Sequence, residues 1–441
     1  MMLALLCACG STDSGPEQDA TTGQTADGSS AADETKGKEM ATLTISGVVG
    51  SPGGDLTGPE KLFKEKYPDI EVEYITCDAV NREQILKTAI SAGAPPTVGF
   101  YWATRLGSFY DIGMCLDLRD YLDQSYFDRI SKDMQAVNVG SNGEQFGVSY
   151  SAVYFTTFYN KDMFEKYGFS IPETWDDLTE IFARLKQDGI FGFATNSATM
   201  QDCLYAMVFS ELEDKVGPGT SKGIADATIS VAPGSPSGEV IRSFIEQVKE
   251  WYDAGYWYPG EGGINTTADD VNAAFAQERC LCVFNFSGAF ATHEESCDFE
   301  IGAFMMPTSR EGMDRYMHIE PSVLFIPSNA SEPQINTAIE FFKVILSEEG
   351  QQAVVESNNL PSVPSYTYAN ISPVFQGVIN ELEVETNHFG PFNPTRTSSE
   401  MQTFIKQKIF AAPLSGVMTI DETLNEMEQV RLEALEAKQN R

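Results

Sequence analysis

Tyr159-Asn160-Lys161-Asp162-Met163-Phe164-Glu165-Lys166-Tyr167-Gly168, followed two residues later by Ile171-Pro172-Glu173-Thr174-Trp175-Asp176-Asp177-Leu178, decides how this chain is read. Phe155 to Tyr159 is rich in β-formers and predicts a strand. Lys161 to Tyr167 then fits a short helix, closed by Gly168 in the left-handed position that follows many helices. Thr174 is placed to cap a second helix, with Asp176 and Asp177 in its first turn, where the helix dipole favours negative charge. Leu178, Ile181, Phe182 and Leu185 recur on one face of that helix until Gly189 stops it. Read locally, these residues are architecture and not ligand contacts.

Taken together, the stretch resembles the signature of the bacterial extracellular solute-binding proteins, in particular the family of maltose-binding protein and other carbohydrate receptors of ABC importers. Further matches follow: Trp251-Tyr252-Asp253-Ala254-Gly255-Tyr256, Ala274-Phe275 through Cys282, Phe325-Ile326-Pro327, the helix Asn336 to Leu346, Leu360-Pro361, and Ile420 to Leu424. The resemblance covers about 42 to 435. It implies an α/β, two-lobed periplasmic-binding-protein-like fold (type II), each lobe a mostly parallel sheet flanked by helices, with a hinge crossed several times. We expect crossings near Val153-Tyr154, Phe304-Met305 and Ser357. The implied division is 1–9 signal remnant, 10–40 tether, 41–153 plus 304–357 N-terminal lobe, and 154–303 plus 358–441 C-terminal lobe.

The N-terminus resembles a bacterial lipoprotein. Leu6-Cys7-Ala8-Cys9-Gly10 fits a lipobox, which implies that Cys9 is lipidated. Residues 10–40 are almost wholly small, polar or charged and cannot bury enough apolar surface to fold. As a flexible tether they would span on the order of 30 Å.

A body of about 400 residues suits two domains better than one core. Hydrophobic content of 42% is a globular value, and no run of 18 apolar residues predicts a membrane span. With 64 acidic against 29 basic residues the net charge is −35, which excludes nucleic acid and anionic lipid as partners and disfavours a strongly anionic ligand. Beyond Cys7 and Cys9 stand Cys77, Cys115, Cys203, Cys280, Cys282 and Cys297, readable as small buried thiols or as one or two disulfides. No spacing of cysteine and histidine suggests a metal, and no cofactor is implied.

Thr42 to Val49 reads as a strand, followed by a helix reaching Tyr67; Ile70 to Ile75 is a second strand, Asn81 to Ala92 a helix, and Thr97 to Tyr101 a third strand. Ligands of such βαβαβ sheets bind beyond the carboxyl ends of the strands, which points to Ser51 and to Tyr101, Trp102 and Arg105. An aromatic face stacks on the apolar side of a pyranose, and the guanidinium fork of arginine suits vicinal hydroxyls. In the family a tryptophan follows the strand of the second lobe; here Phe286 or Phe290 would take its place. Tyr150 and Ser287 complete the candidate set.

The resemblance therefore implies an extracellular, lipid-anchored monomer that captures a sugar between closing lobes and delivers it to the permease and ATPase of an ABC importer. A polyamine or peptide ligand, or a sensor role, is the alternative on the same scaffold. A glycosidase is a more distant one: its paired carboxylates cannot be singled out among 64 acidic residues. No hydrolase, metalloprotease or phosphate-loop motif occurs.

Overall fold

The computed structural model of the chain describes residues 38–47, 54–76, 81–197, 199–382, 387–389, 401, 404–405 and 407–439. Ser51, the Cys9 lipobox, Cys77 and nearly all of the expected tether lie outside the described residues.

Strand β1 (Leu43–Ser46) lies between β2 (Val72–Ile75) and β3 (Val98–Trp102) and runs parallel to both. Helices Thr57–Lys66 and Arg82–Ser91 connect them, so the expected βαβαβ unit forms. Gly47 leaves β1 at φ 100°, and a Cβ there would sit 2.7 Å from the Phe100 carbonyl oxygen, so the turn requires glycine.

The strand expected at 155–159 is part of a longer one, β4 (Val148–Asn160), of 13 residues. The remaining strands are β5 (Phe191–Ala194), β6 (Cys280–Phe286), β7 (Ile301–Phe304), β8 (Arg315–Met317), β9 (Ile319–Phe325), β10 (Leu360–Pro361) and β11 (Asn387–Phe389). The first half of β4 pairs with β9, Val148↔Leu324 through Tyr154↔Ile319. Its second half pairs with β6 and β7. The strand order is β2-β1-β3-β9-β4-β6-β5, with β7 and β10 also on β4 and a separate β8–β11 pair. The expectation of mostly parallel sheets needs correction. The pairs β2-β1-β3 and β5-β6 are parallel, but every contact of β4 and β9 along this path is antiparallel. The cause is that β4 belongs to both lobes and β9 returns beside it in the opposite direction.

Each lobe has its own core. Leu43, Phe63, Phe100, Tyr150, Phe341 and Phe342 anchor the first; Phe182, Phe193, Phe244, Trp251, Trp257 and Phe284 anchor the second. The signature motif folds as its residues dictate. Asn160 Oδ1 accepts from Met163 N–H at 2.8 Å and starts helix Lys161–Tyr167, and Gly168 ends it at φ 70°. Thr174 and Asp177 form a capping box at the start of helix Trp175–Lys186. Trp175, Leu178, Ile181, Phe182 and Leu185 are its buried stripe.

The path between lobes is set by hydrogen bonds. Outward, β4 passes from one lobe to the other at Tyr154–Phe155, where its partners change from Ile319 to Phe286. At the expected return, Phe304 packs in the second core and Met305 in the first, but the stretch that follows stays tied to the second lobe. Trp175 Nε1 donates to the Pro307 carbonyl at 3.0 Å, Ser309 donates to Glu211, and Tyr316 N–H donates to Ser210, keeping this stretch on the second lobe. The buried indole of Trp175 needs that carbonyl, since an unpaired N–H there would go unsolvated. Met305 and Met317 are buried in the first core, and from Ile319, opposite Tyr154, the chain pairs strand to strand with the first half of β4. Beyond Ser357, β10 still pairs with Ala152 and Ser151, and Phe375 and Val378 still pack in the first core. Helix Ile420–Gln439 buries Leu424 and Met427 in the second.

Candidate functional site

The registers fix where the strands end. Trp102 at the end of β3 is opposite Ser322, and β9 continues from there back to Ile319 beside Tyr154. The carboxyl end of β3 therefore points toward the crossover. From the second lobe, Phe286 at the end of β6 is opposite Phe155, one residue past it. Both strands end in short 3-10 turns, Ala103–Arg105 and Ser287–Ala289. Two strand ends from two lobes thus converge on the residues where β4 changes sheets, the place where open α/β sheets present ligands.

Of the eight predicted contacts, Trp102, Arg105 and Phe286 keep partial exposure at these ends. Four others are packed away in this structure. Tyr101 is 3% exposed because alternation turns it to the opposite face from Phe100 and Trp102, against Phe109. Its hydroxyl donates to Glu83 at 2.7 Å. Tyr150 is wholly buried in the first core beside Phe100, and Phe290 packs against Phe158. Burial raises the Tyr101 and Tyr150 hydroxyls above the ordinary tyrosine range. Ser287 is buried at the hinge, accepting from Tyr154 N–H and donating to Asn359 Oδ1, both at 3.4 Å. The eighth, Ser51, is outside the described residues.

The structure adds Arg82, which sequence reading passed over. It opens helix Arg82–Ser91 at the carboxyl edge of the sheet and is 1% exposed. Its guanidinium carbon lies 4.5 Å from the centre of the Trp102 ring, and that of Arg105 lies 5.2 Å from the same ring. The available signal was spacing: Arg82 stands four and eight residues before Leu86 and Ile90, on their buried stripe. Nearby, burial works to raise Glu83, but hydrogen bonds from Lys87 and Tyr101 outweigh it and hold the carboxyl below its usual range. Just past β5, at the carboxyl end of a second-lobe strand, Thr195 and Asn196 are buried.

The five described cysteines, Cys115, Cys203, Cys280, Cys282 and Cys297, are free thiols. Burial pushes Cys297 up to about 11 and Cys115 and Cys282 well above the usual thiol range, so these three are not poised as nucleophiles. Among the described residues no helix is long and apolar enough to cross a membrane.

Comparison with known proteins agrees with this architecture. The profile of the bacterial extracellular solute-binding protein family matches residues 61–376. The multiple sugar-binding protein of Streptococcus mutans is 22% identical over 315 residues, 68% of this chain and 70% of that protein. A binding protein of Brucella abortus is 27% identical over 157 residues, 34% of this chain; the match spans 38% of that relative's length. Among solved structures, a chitin oligosaccharide binding protein superposes with TM-score 0.72 at 21% identity, covering 89% of this chain and 99% of that one. A solute-binding protein in complex with raffinose gives 0.69 at 18% identity, covering 90% and 100%. At these identities the superpositions establish the fold.

Proposed function

The chain belongs to the bacterial extracellular solute-binding proteins, and on that premise we propose that it captures a sugar or oligosaccharide between its lobes and hands it to the permease of an ABC importer. The observation that carries this reading is the convergence of the ends of β3 and β6, with partly exposed Trp102 and Phe286, on the point where β4 changes lobes. Aromatic rings on both sides of a cleft suit the apolar faces of pyranoses. Relatives named for sugar binding support the choice of ligand class. The device performs no chemistry: ligand favours the closed over the open arrangement by its differential affinity, and closure is what the permease reads.

The test combines affinity and shape. A cognate sugar at a hundredfold excess over its dissociation constant should stabilise the protein by about 2.7 kcal/mol, and small-angle scattering should show the molecule contract. Trp102→Ala removes one stacking face, worth on the order of 1–3 kcal/mol, so affinity should fall roughly 5- to 150-fold. Binding without contraction would refute closure. A Trp102→Ala protein that loses stability but keeps native affinity would remove Trp102 from the site.

The same reading anchors the protein outside the cell through Cys9, as a monomer whose tether separates lipid from lobes. Cys9→Ser, expressed with a functional signal peptide, should lose acyl labelling and leave the membrane fraction while sugar affinity stays unchanged. Acyl labelling that persists would move the anchor elsewhere.

A further inference from the structure

The residue at which β4 changes lobes carries a polar atom with nothing to bond. Tyr154 is 0% exposed, yet among the described residues its hydroxyl has no hydrogen-bond partner. Burial raises that hydroxyl above the ordinary tyrosine range, so it stays protonated, a donor without an acceptor. The ring stacks on Phe375, with centroids 5.7 Å apart and planes 13° from parallel. A phenylalanine would make the same stack. The hydroxyl therefore adds nothing to this arrangement of the lobes and costs its lost hydration.

The backbone of the same residue works the other way. Tyr154 N–H donates to Ser287 Oγ, and the Ser287 hydroxyl donates to Asn359 Oδ1, both at 3.4 Å. Ser287 opens the turn that follows β6 in the second lobe. Asn359 precedes β10, which pairs with the first-lobe half of β4. One buried hydroxyl thus joins the second lobe to the first and third crossings at once. Bonds of this length are weak, and they lie where the lobes pivot, so a change of lobe angle alters them first.

We propose that Tyr154 sets the balance between two arrangements of the lobes. Its orphaned hydroxyl opposes the arrangement of this structure, and its N–H, held by Ser287, favours it. This rests on the closing-lobe reading above and names the residues that tune it.

Helix Pro373–Leu382 provides the route of relief. Its Phe375 and Val378 pack in the first core with Tyr154, whereas its Val374 packs with Phe158 and Val283, a facing pair of β4 and β6 in the second lobe. A helix that bears on both lobes cannot follow both when they turn. Its cover over the Tyr154 ring therefore changes with the angle between them, and a small shift gives the hydroxyl water or a carbonyl to bond. A difference of one hydrogen bond between two arrangements is enough to bias them, and ligand then acts on that bias through its own differential affinity.

The experiment compares the full chain with its Tyr154→Phe and Ser287→Ala variants. Small-angle scattering is recorded without ligand, and each protein is titrated with gluco-, xylo- and chito-oligosaccharides and raffinose. Tyr154→Phe should move the ligand-free profile toward the one calculated from this structure, and Ser287→Ala should move it away. Affinities of the two variants for a sugar that binds the wild type should differ by about fivefold or more, the tighter binder being the one more contracted without ligand. Tyr154→Phe should also be at least as stable as the wild type. A purely structural role for either residue would lower stability and leave the ligand-free profile in place. Should Ser287→Ala fail to fold, Asn359→Leu removes the same link from the other side. Profiles that stay together or shift in the same sense would overturn the inference, as would a Tyr154→Phe protein that loses stability with its profile unchanged. A panel that never contracts the wild type would instead remove the sugar reading, and the ligand-free profiles decide this inference without it.

Discussion

Gln351→Leu is expected to unfold the protein at temperatures where the wild type is stable, at a cost on the order of 3–5 kcal/mol. Gln351 is completely buried on helix Glu348–Glu356. Its Nε2 donates to the carbonyls of Tyr150 at 3.0 Å and Ile345 at 2.9 Å. Its Oε1 accepts from Ser362 N–H at 2.8 Å, Val363 N–H at 3.1 Å and the Ser362 hydroxyl at 3.3 Å. One amide thus serves backbone groups of β4, of the helix before it, and of the segment leaving β10. Leucine fills similar space but leaves these groups without a partner and without water. The penalty for each stranded backbone group is about 1–3 kcal/mol, partly relieved by relaxation. Chemical denaturation of the two proteins side by side measures the loss. A change below about 1 kcal/mol would mean that the backbone groups find other partners.

The second large effect depends on pH. His293 is buried, with its ring edge-on to Phe158 and Phe275, and Asn285 Nδ2 lies 3.5 Å from its Nε2. Its Nδ1 has no hydrogen-bond partner among the described residues. Burial disfavours the imidazolium and lowers its pKa from 6.5 to about 4. Folded protein therefore holds this ring neutral between those two values while the unfolded chain protonates it. Stability is complete above about pH 6.5 and drains away as the pH falls toward 4, by up to an order of 3 kcal/mol. Acidification also relieves self-repulsion in a chain of net charge −35, which works the other way. Comparison with His293→Leu isolates the histidine: wild type should lose more stability than the variant between pH 7.5 and 4.5. Parallel losses would show that His293 is not the group responsible.

Local chemistry was the legible part. Gly168 and Thr174 announce helix ends by residue type and spacing, and both ends form where expected. The βαβαβ opening was readable for the same reason, since Pro, Gly and β-branched runs punctuate it. The full length of β4 was hidden because nearly all of its residues are buried, so no alternation marks the strand. Its antiparallel partner β9 lies far along the chain, and no local signal carries strand direction across such a distance. At the candidate site, the rule of strand ends located Trp102 and Arg105, but not which neighbours point inward. Tyr101 and Tyr150 look like a cleft pair by type, yet layers above and below the sheet absorb both. Arg82 looked like an ordinary surface charge on a helix, because burial of an arginine is a tertiary fact.

The shared strand also dictates the order in which the molecule can be assembled. Strands β1, β2 and β3 are synthesised first, but the free side of β3 has no neighbour until β9 arrives, after β4 to β8 and most of the second lobe have been made. The second lobe, by contrast, draws β4 to β7 from one nearly continuous run. Sequential folding from the N-terminus would thus leave the edge of β3 open for the time needed to make the entire insertion. That is an edge to which other chains could add. A protein built this way gains from being kept unfolded until its chain is complete.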